Sequence, residues 1–105
     1  MRETVLQLKE LLGNDFSSLV EAFDVDNRNH LATIESSISV ADAEQVARAA
    51  HSIKGAASNL GAEQLTSFCQ KLESQAKEGQ LSEASDLLLE IKREFEIAVD
   101  ILKES

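Results

Sequence analysis

Proline is absent from all 105 residues, while apolar side chains recur at three- and four-residue intervals along almost the whole chain. Proline is the residue that most abruptly breaks a helix, so the only punctuation left is 4 glycines. Three of them, Gly13, Gly61 and Gly79, fall between apolar runs, where a helix stop is wanted; Gly55 alone falls inside one. Ala, Leu, Glu, Lys and Gln are plentiful, and Trp and Tyr are missing, so helix formers meet little competition from strand formers. The spacing predicts a short first helix capped by Thr4, with Val5, Leu8, Leu11 and Leu12 on one side and a stop at Gly13-Asn14. A long second helix opens at Asn14 or Asp15, aligns Phe16, Leu19, Val20, Phe23, Leu31, Ile34 and Ile38, and ends near Ser39. A third, capped by Asp42, carries Val46, Ala49, Ala50, Ile53, Ala56, Ala57 and Leu60 and stops at Gly61. The fourth runs from about Ala62 through Leu65, Phe68, Cys69, Leu72 and Ala76 to a left-handed Gly79, and the fifth from about Ser82 through Ala84, Leu88, Ile91, Phe95, Ala98 and Leu102.

Four amphipathic helices with connections of a few residues predict an all-α, antiparallel up-down-up-down four-helix bundle, with the short first helix covering one end. The length and the lack of a linker or repeat point to a single domain over residues 1–105, able to fold without a cofactor. No apolar run approaches the length needed to span a bilayer, and the N-terminus lacks the regions of a secretory signal. A single cysteine excludes an internal disulfide, so a cytoplasmic setting is expected. A net charge of −9 argues against duplex nucleic acid and anionic membrane as partners and in favour of proteins. That charge is uneven. Residues 1–42 hold 3 basic and 8 acidic groups and residues 80–105 hold 3 and 7, whereas residues 43–79 hold 4 of each.

The neutral middle segment contains the chemistry. On a wheel of about 100° per residue, Val46, Ile53 and Leu60 lie opposite His51, so His51 points away from the core. Ala47, Arg48, Lys54, Gly55 and Ser58 fall within about 60° of it. A glycine inside an exposed helix costs about 1 kcal/mol relative to alanine. At i+4 from His51, Gly55 leaves room for a reacting group, and Lys54 at i+3 can reach a phosphoryl group on the ring, as can Arg48. Imidazole is a competent nucleophile near neutral pH if a partner fixes its tautomer. Glu73 is the candidate partner, at the edge of the fourth helix that faces the third; by accepting from Nδ1–H it would leave Nε2 to react.

These residues, AAHSIKGAASNLGAEQLTSFCQKLE over 49–73, resemble the signature of histidine-containing phosphotransfer (HPt) domains of multistep phosphorelays. The match includes Ala50, His51, Ile53, Lys54-Gly55, Ala56, Ala57, Leu60-Gly61, Leu65, Cys69 and Leu72-Glu73, and the helix order fits the family over essentially the whole chain. The resemblance implies a phosphorelay intermediate in which His51 is phosphorylated on Nε2, Lys54 steadies the phosphoryl group and Gly55 admits the partner. It implies receiver domains of hybrid kinases and response regulators as partners, one giving the phosphoryl group from an aspartate and another taking it. It further implies a carrier rather than an enzyme, with aspartate and Mg²⁺ supplied by the receiver and no metal or cofactor of its own. The family position that bonds the imidazole is often glutamine and falls here on Glu73, whose carboxylate would hold Nδ1–H more strongly but bring negative charge near the phosphoryl group.

Other features have plainer readings. His30 borders the second helix's apolar face and is given no role; Cys69 and the four phenylalanines lie on buried stripes. Ala47, Arg48, Ser58, Ala62 and Leu65 are the candidate partner-binding residues, although Ala47, Ala62 and Leu65 can equally cover the bundle end. A histidine-kinase phosphoacceptor domain is disfavoured because Ser52, not an acidic residue, follows His51, and no ATP-binding domain follows. A plain helical adaptor is the remaining alternative, opposed only by the constellation around His51. Met1 and the short tail favour a free-standing protein, and the use of the fifth helix's stripe within the bundle favours a monomer. The identities of the upstream kinase and downstream regulator are not encoded in any motif.

Overall fold

The apolar stripes become five α-helices in a computed structural model describing all 105 residues. They are α1 (Arg2–Leu12), α2 (Phe16–Ser39), α3 (Ala43–Asn59), α4 (Glu63–Lys77) and α5 (Ala84–Glu104). α2 packs on α3 and α5, and α4 packs on the same two. With connections of three to six residues between successive helices from α2 onward, this closes the up-down-up-down ring of a four-helix bundle, and the whole chain measures 42 × 20 × 18 Å. Ile34, Ile53, Leu72, Ile91 and Phe95 are fully buried at its centre, and Phe23 stacks on Phe95 with ring centroids 5.4 Å apart. Phe68 departs from the expectation for the phenylalanines, being only half-buried.

The N-terminal arm is longer than the short lid expected from Thr4. α1 opens at Arg2, and a 3-10 turn over Gly13–Asp15 carries it straight into α2, so the backbone is helical from residue 2 to residue 39. Gly13, at φ +54°, redirects the chain without releasing it. The first cap is backbone, with Val5 N–H donating to the Met1 carbonyl at 2.9 Å. Thr4 instead packs against the α3–α4 turn: a Cβ on Gly61 would stand 3.0 Å from Thr4 Oγ1 and 3.6 Å from Met1 Cα. Gly61, at φ +73°, is thus required both by the turn and by the helix laid over it. α1 covers that end through the buried Val5 and an Arg2–Glu104 ion pair at 3.0 Å, while Lys9 Nζ donates to the Ser105 carbonyl.

Asp42 caps α3 as expected, its Oδ1 accepting from Gln45 N–H at 3.1 Å. α5 begins two residues later than Ser82, because Leu81 to Glu83 form a turn in which Ala84 N–H donates to the Leu81 carbonyl at 3.1 Å. No helix is long and apolar enough to cross a membrane.

Candidate functional site

α3 buries Val46, Ala49, Ala50, Ile53 and Ala57, which turns the His51 side chain outward, 65% exposed. α4 buries Leu65, Cys69, Leu72 and Ala76, and with them Glu73, whose side chain is only 3% exposed. A carboxylate at that depth needs compensation, since burying an unpaired charge is far costlier than burying any apolar group. Glu73 is fully partnered. Its Oε2 accepts from His51 Nδ1 at 2.9 Å and from Lys77 Nζ at 3.1 Å, and its Oε1 accepts from Lys54 Nζ at 2.6 Å. Burial pushes the Glu73 carboxyl up, but the bonds from Lys54, Lys77 and His51 outweigh it and bring it from an ordinary 4.5 down to about 2.

An ionised carboxylate only accepts, so the proton shared with His51 belongs to Nδ1, and a neutral ring then carries its lone pair on Nε2. The arrangement presents an exposed imidazole with one tautomer favoured from beneath. Lys54 lies beside it, 23% exposed and also bonded to Gln70 Oε1 at 3.0 Å. Gly55 is exposed, and a Cβ built on it meets nothing within 4 Å. Packing within the fold therefore gives no reason for glycine there.

His51 stands in a groove of about 810 Å³ between α3 and the C-terminal half of α4, lined also by Ala43, Ala47, Arg48, Ala76 and Lys77. Arg48 is exposed and turned toward its own helix, donating to Gln45 Oε1 at 2.8 Å and lying 3.6 Å from Glu44. Ser58 is exposed on the same helix, one turn beyond Gly55. Ala62 and Leu65 are 8% and 1% exposed at the end capped by α1. They cover the bundle end, the second of the two readings open to them, and Leu65 has no surface to offer a partner. Burial, with the charge of Glu73 adding to it and Lys54 opposing, pushes the Cys69 thiol up to about 12, leaving it a core side chain. His30 lies half-buried at the edge of α2. Sequence reasoning passed over Lys77 and Gln70, although both stand at helical spacing from Glu73, four residues after and three before it.

The family model of the Hpt domain matches residues 18–102. The chain belongs to the Hpt family. Among solved structures it is similar to histidine-containing phosphotransfer protein B (HptB) from Pseudomonas aeruginosa PAO1, at 30% identity and a TM-score of 0.91, over 97% of this chain and 89% of that one. No curated protein matches it. The family model leaves α1 outside its span, whereas the structural match takes it in. Membership makes this Hpt chain a histidine phosphotransfer protein of two-component phosphorelays.

Proposed function

We propose that His51 accepts a phosphoryl group from the aspartyl phosphate of one receiver domain and hands it to the aspartate of another. The observation that carries this reading is the bond from His51 Nδ1–H to a buried, ionised Glu73 beneath a ring that is 65% exposed. In the step, the Nε2 lone pair attacks phosphorus. A P–N bond forms, the P–O bond to the aspartyl carboxylate breaks, and its electron pair stays on that carboxylate. Glu73 keeps the Nδ1 proton in place and stabilises the positive charge that develops on the ring. Lys54, held at the edge of the same cluster, faces the negative charge of the transferring group. The receiver contributes the aspartate and Mg²⁺, and this chain acts as carrier with no kinase activity of its own.

Gly55 supports the same reading from the partner's side. Its conformational cost is uncompensated within the fold, and the space above it is open for a docking surface. Arg48 and Ser58, exposed on the same helix, are the proposed contacts of that surface, while Ala47, 6% exposed, only lines the floor of the groove.

Mixing the protein with a phosphorylated receiver domain tests this directly. The expected product is an acid-labile, base-stable phosphate on the Hpt chain, lost entirely in His51→Gln and not formed from ATP alone. Label retained by the Gln variant, or transferred from no receiver, would overturn it.

A further inference from the structure

Glu73 creates a difficulty for the reaction it serves. A phosphoryl group on Nε2 brings a charge near −2 to the far side of the ring from a carboxylate that water scarcely screens. Lys54 can balance one negative charge, and Glu73 already engages it at 2.6 Å. A second cation is present. Lys77 reaches Glu73 from the last turn of α4, four residues on, and binds Oε2, the same oxygen that holds His51. It does so from the rim of the His51 groove, itself 66% exposed. Most exposed i, i+4 ion pairs contribute almost nothing. This one differs because its acceptor is buried and shared with the reacting ring.

Resting on the function proposed above, we propose that Lys77 is a positioning residue that cancels the charge of Glu73, so that a carboxylate can hold the imidazole without repelling the phosphoryl group on it. Without Lys77, Glu73 and Lys54 sum to zero, and the phosphoryl group is left uncompensated. With it, the cluster is +1 before transfer and close to −1 after. Arg48, the other cation of the groove, is engaged by Gln45 and Glu44 and does not reach this carboxylate. Lys71 pairs with Glu83 on another face. In this account Lys77 is needed only because residue 73 is charged.

The test is a double-mutant cycle on phosphoryl transfer from a phosphorylated receiver domain that serves the wild-type chain, run over a range of receiver concentrations. Lys77→Met is expected to slow transfer at saturating receiver about tenfold without changing the half-saturating concentration, and Lys77→Arg to restore it to within about threefold. In a Glu73→Gln background, the same Lys77→Met change should alter the rate less than about twofold. An equal loss in both backgrounds, no loss in either, or a change confined to the half-saturating concentration would overturn the proposal, the last by making Lys77 a docking contact. Thermal melts establish that each variant is folded. His51→Gln separates the two layers: if it still takes up phosphate, the function itself falls and Lys77 with it, whereas a silent Lys77→Met beside a dead His51→Gln removes only the inference.

Discussion

Two ion-pair networks tie helices of this bundle together, one centred on Glu73 between α3 and α4, the other on Asp24 between α2 and α5. Asp24 accepts from Arg28 at 2.5 Å and from Lys103 at 3.0 Å, Arg28 goes on to Glu96 at 2.6 Å, and its guanidinium lies 5.1 Å from the centre of the Phe95 ring. On paper the two are alike, each a carboxylate with cations from its own helix and from a neighbour. They differ in depth, at 18% exposure for Asp24 and 3% for Glu73. At Asp24 the bond from Lys103 is the largest influence and lowers the carboxyl, burial opposes it less strongly, and Arg28 lowers it further. At Glu73 burial is the largest influence and opposes ionisation, so the charge stands only because three donors hold it. A surface network stitches helices and tolerates loss; a buried hub depends on every member, and this hub has the exposed ring of His51 fastened to it.

The largest expected difference is in stability. Removing Glu73 strands Lys54 half-buried and leaves a void, so Glu73→Ala should cost about 2–3 kcal/mol in denaturant unfolding. Asp24→Ala should cost less than about 1 kcal/mol. Equal losses would erase the contrast. Acid unfolding sharpens it. Because the folded-state value of Glu73 is lowered, its contribution is fully present above an ordinary carboxyl value of 4.5 and is lost as pH falls toward about 2. Wild type should therefore lose stability across that window, and Glu73→Gln should flatten the loss more than Asp24→Asn does. The smallest effect concerns Gly55, where nothing in the fold opposes a side chain. Gly55→Ala should stabilise the protein by about 0.5–1 kcal/mol in thermal melts while slowing transfer from a receiver. A gain in stability with unchanged transfer would return Gly55 to a bare helix position.

The contrast also explains what was legible in the sequence. Helical spacing alone gives the five elements, and the opposition of His51 to Ile53 on the wheel gives the outward ring, because both follow from local geometry. The edge position of Glu73 was legible for the same reason. Its depth was not, since that depends on how closely α3 and α4 approach. The role of Lys77 is not legible in sequence, because an exposed lysine near a helix end is like any solvated cation until its acceptor is known to be buried. Leu65, which the sequence leaves open as docking surface or as cover for the bundle end, is 1% exposed, a depth that again depends on tertiary packing. In sequence Gly13 reads as a stop that sets the first helix apart, whereas in the fold it is a bend within continuous helix.

In the proposed step Glu73 keeps the proton on Nδ1, so that chemistry occurs at Nε2 of His51. Nitrogen-15 NMR of the histidine-labelled protein, before and after phosphorylation by a receiver domain, tests it most directly. The expected spectra show Nδ1–H in the neutral unphosphorylated ring and, after transfer, phosphorus coupled to Nε2 of His51. Phosphorus coupled to Nδ1, or a His51 spectrum unchanged while the protein carries phosphate, would contradict it.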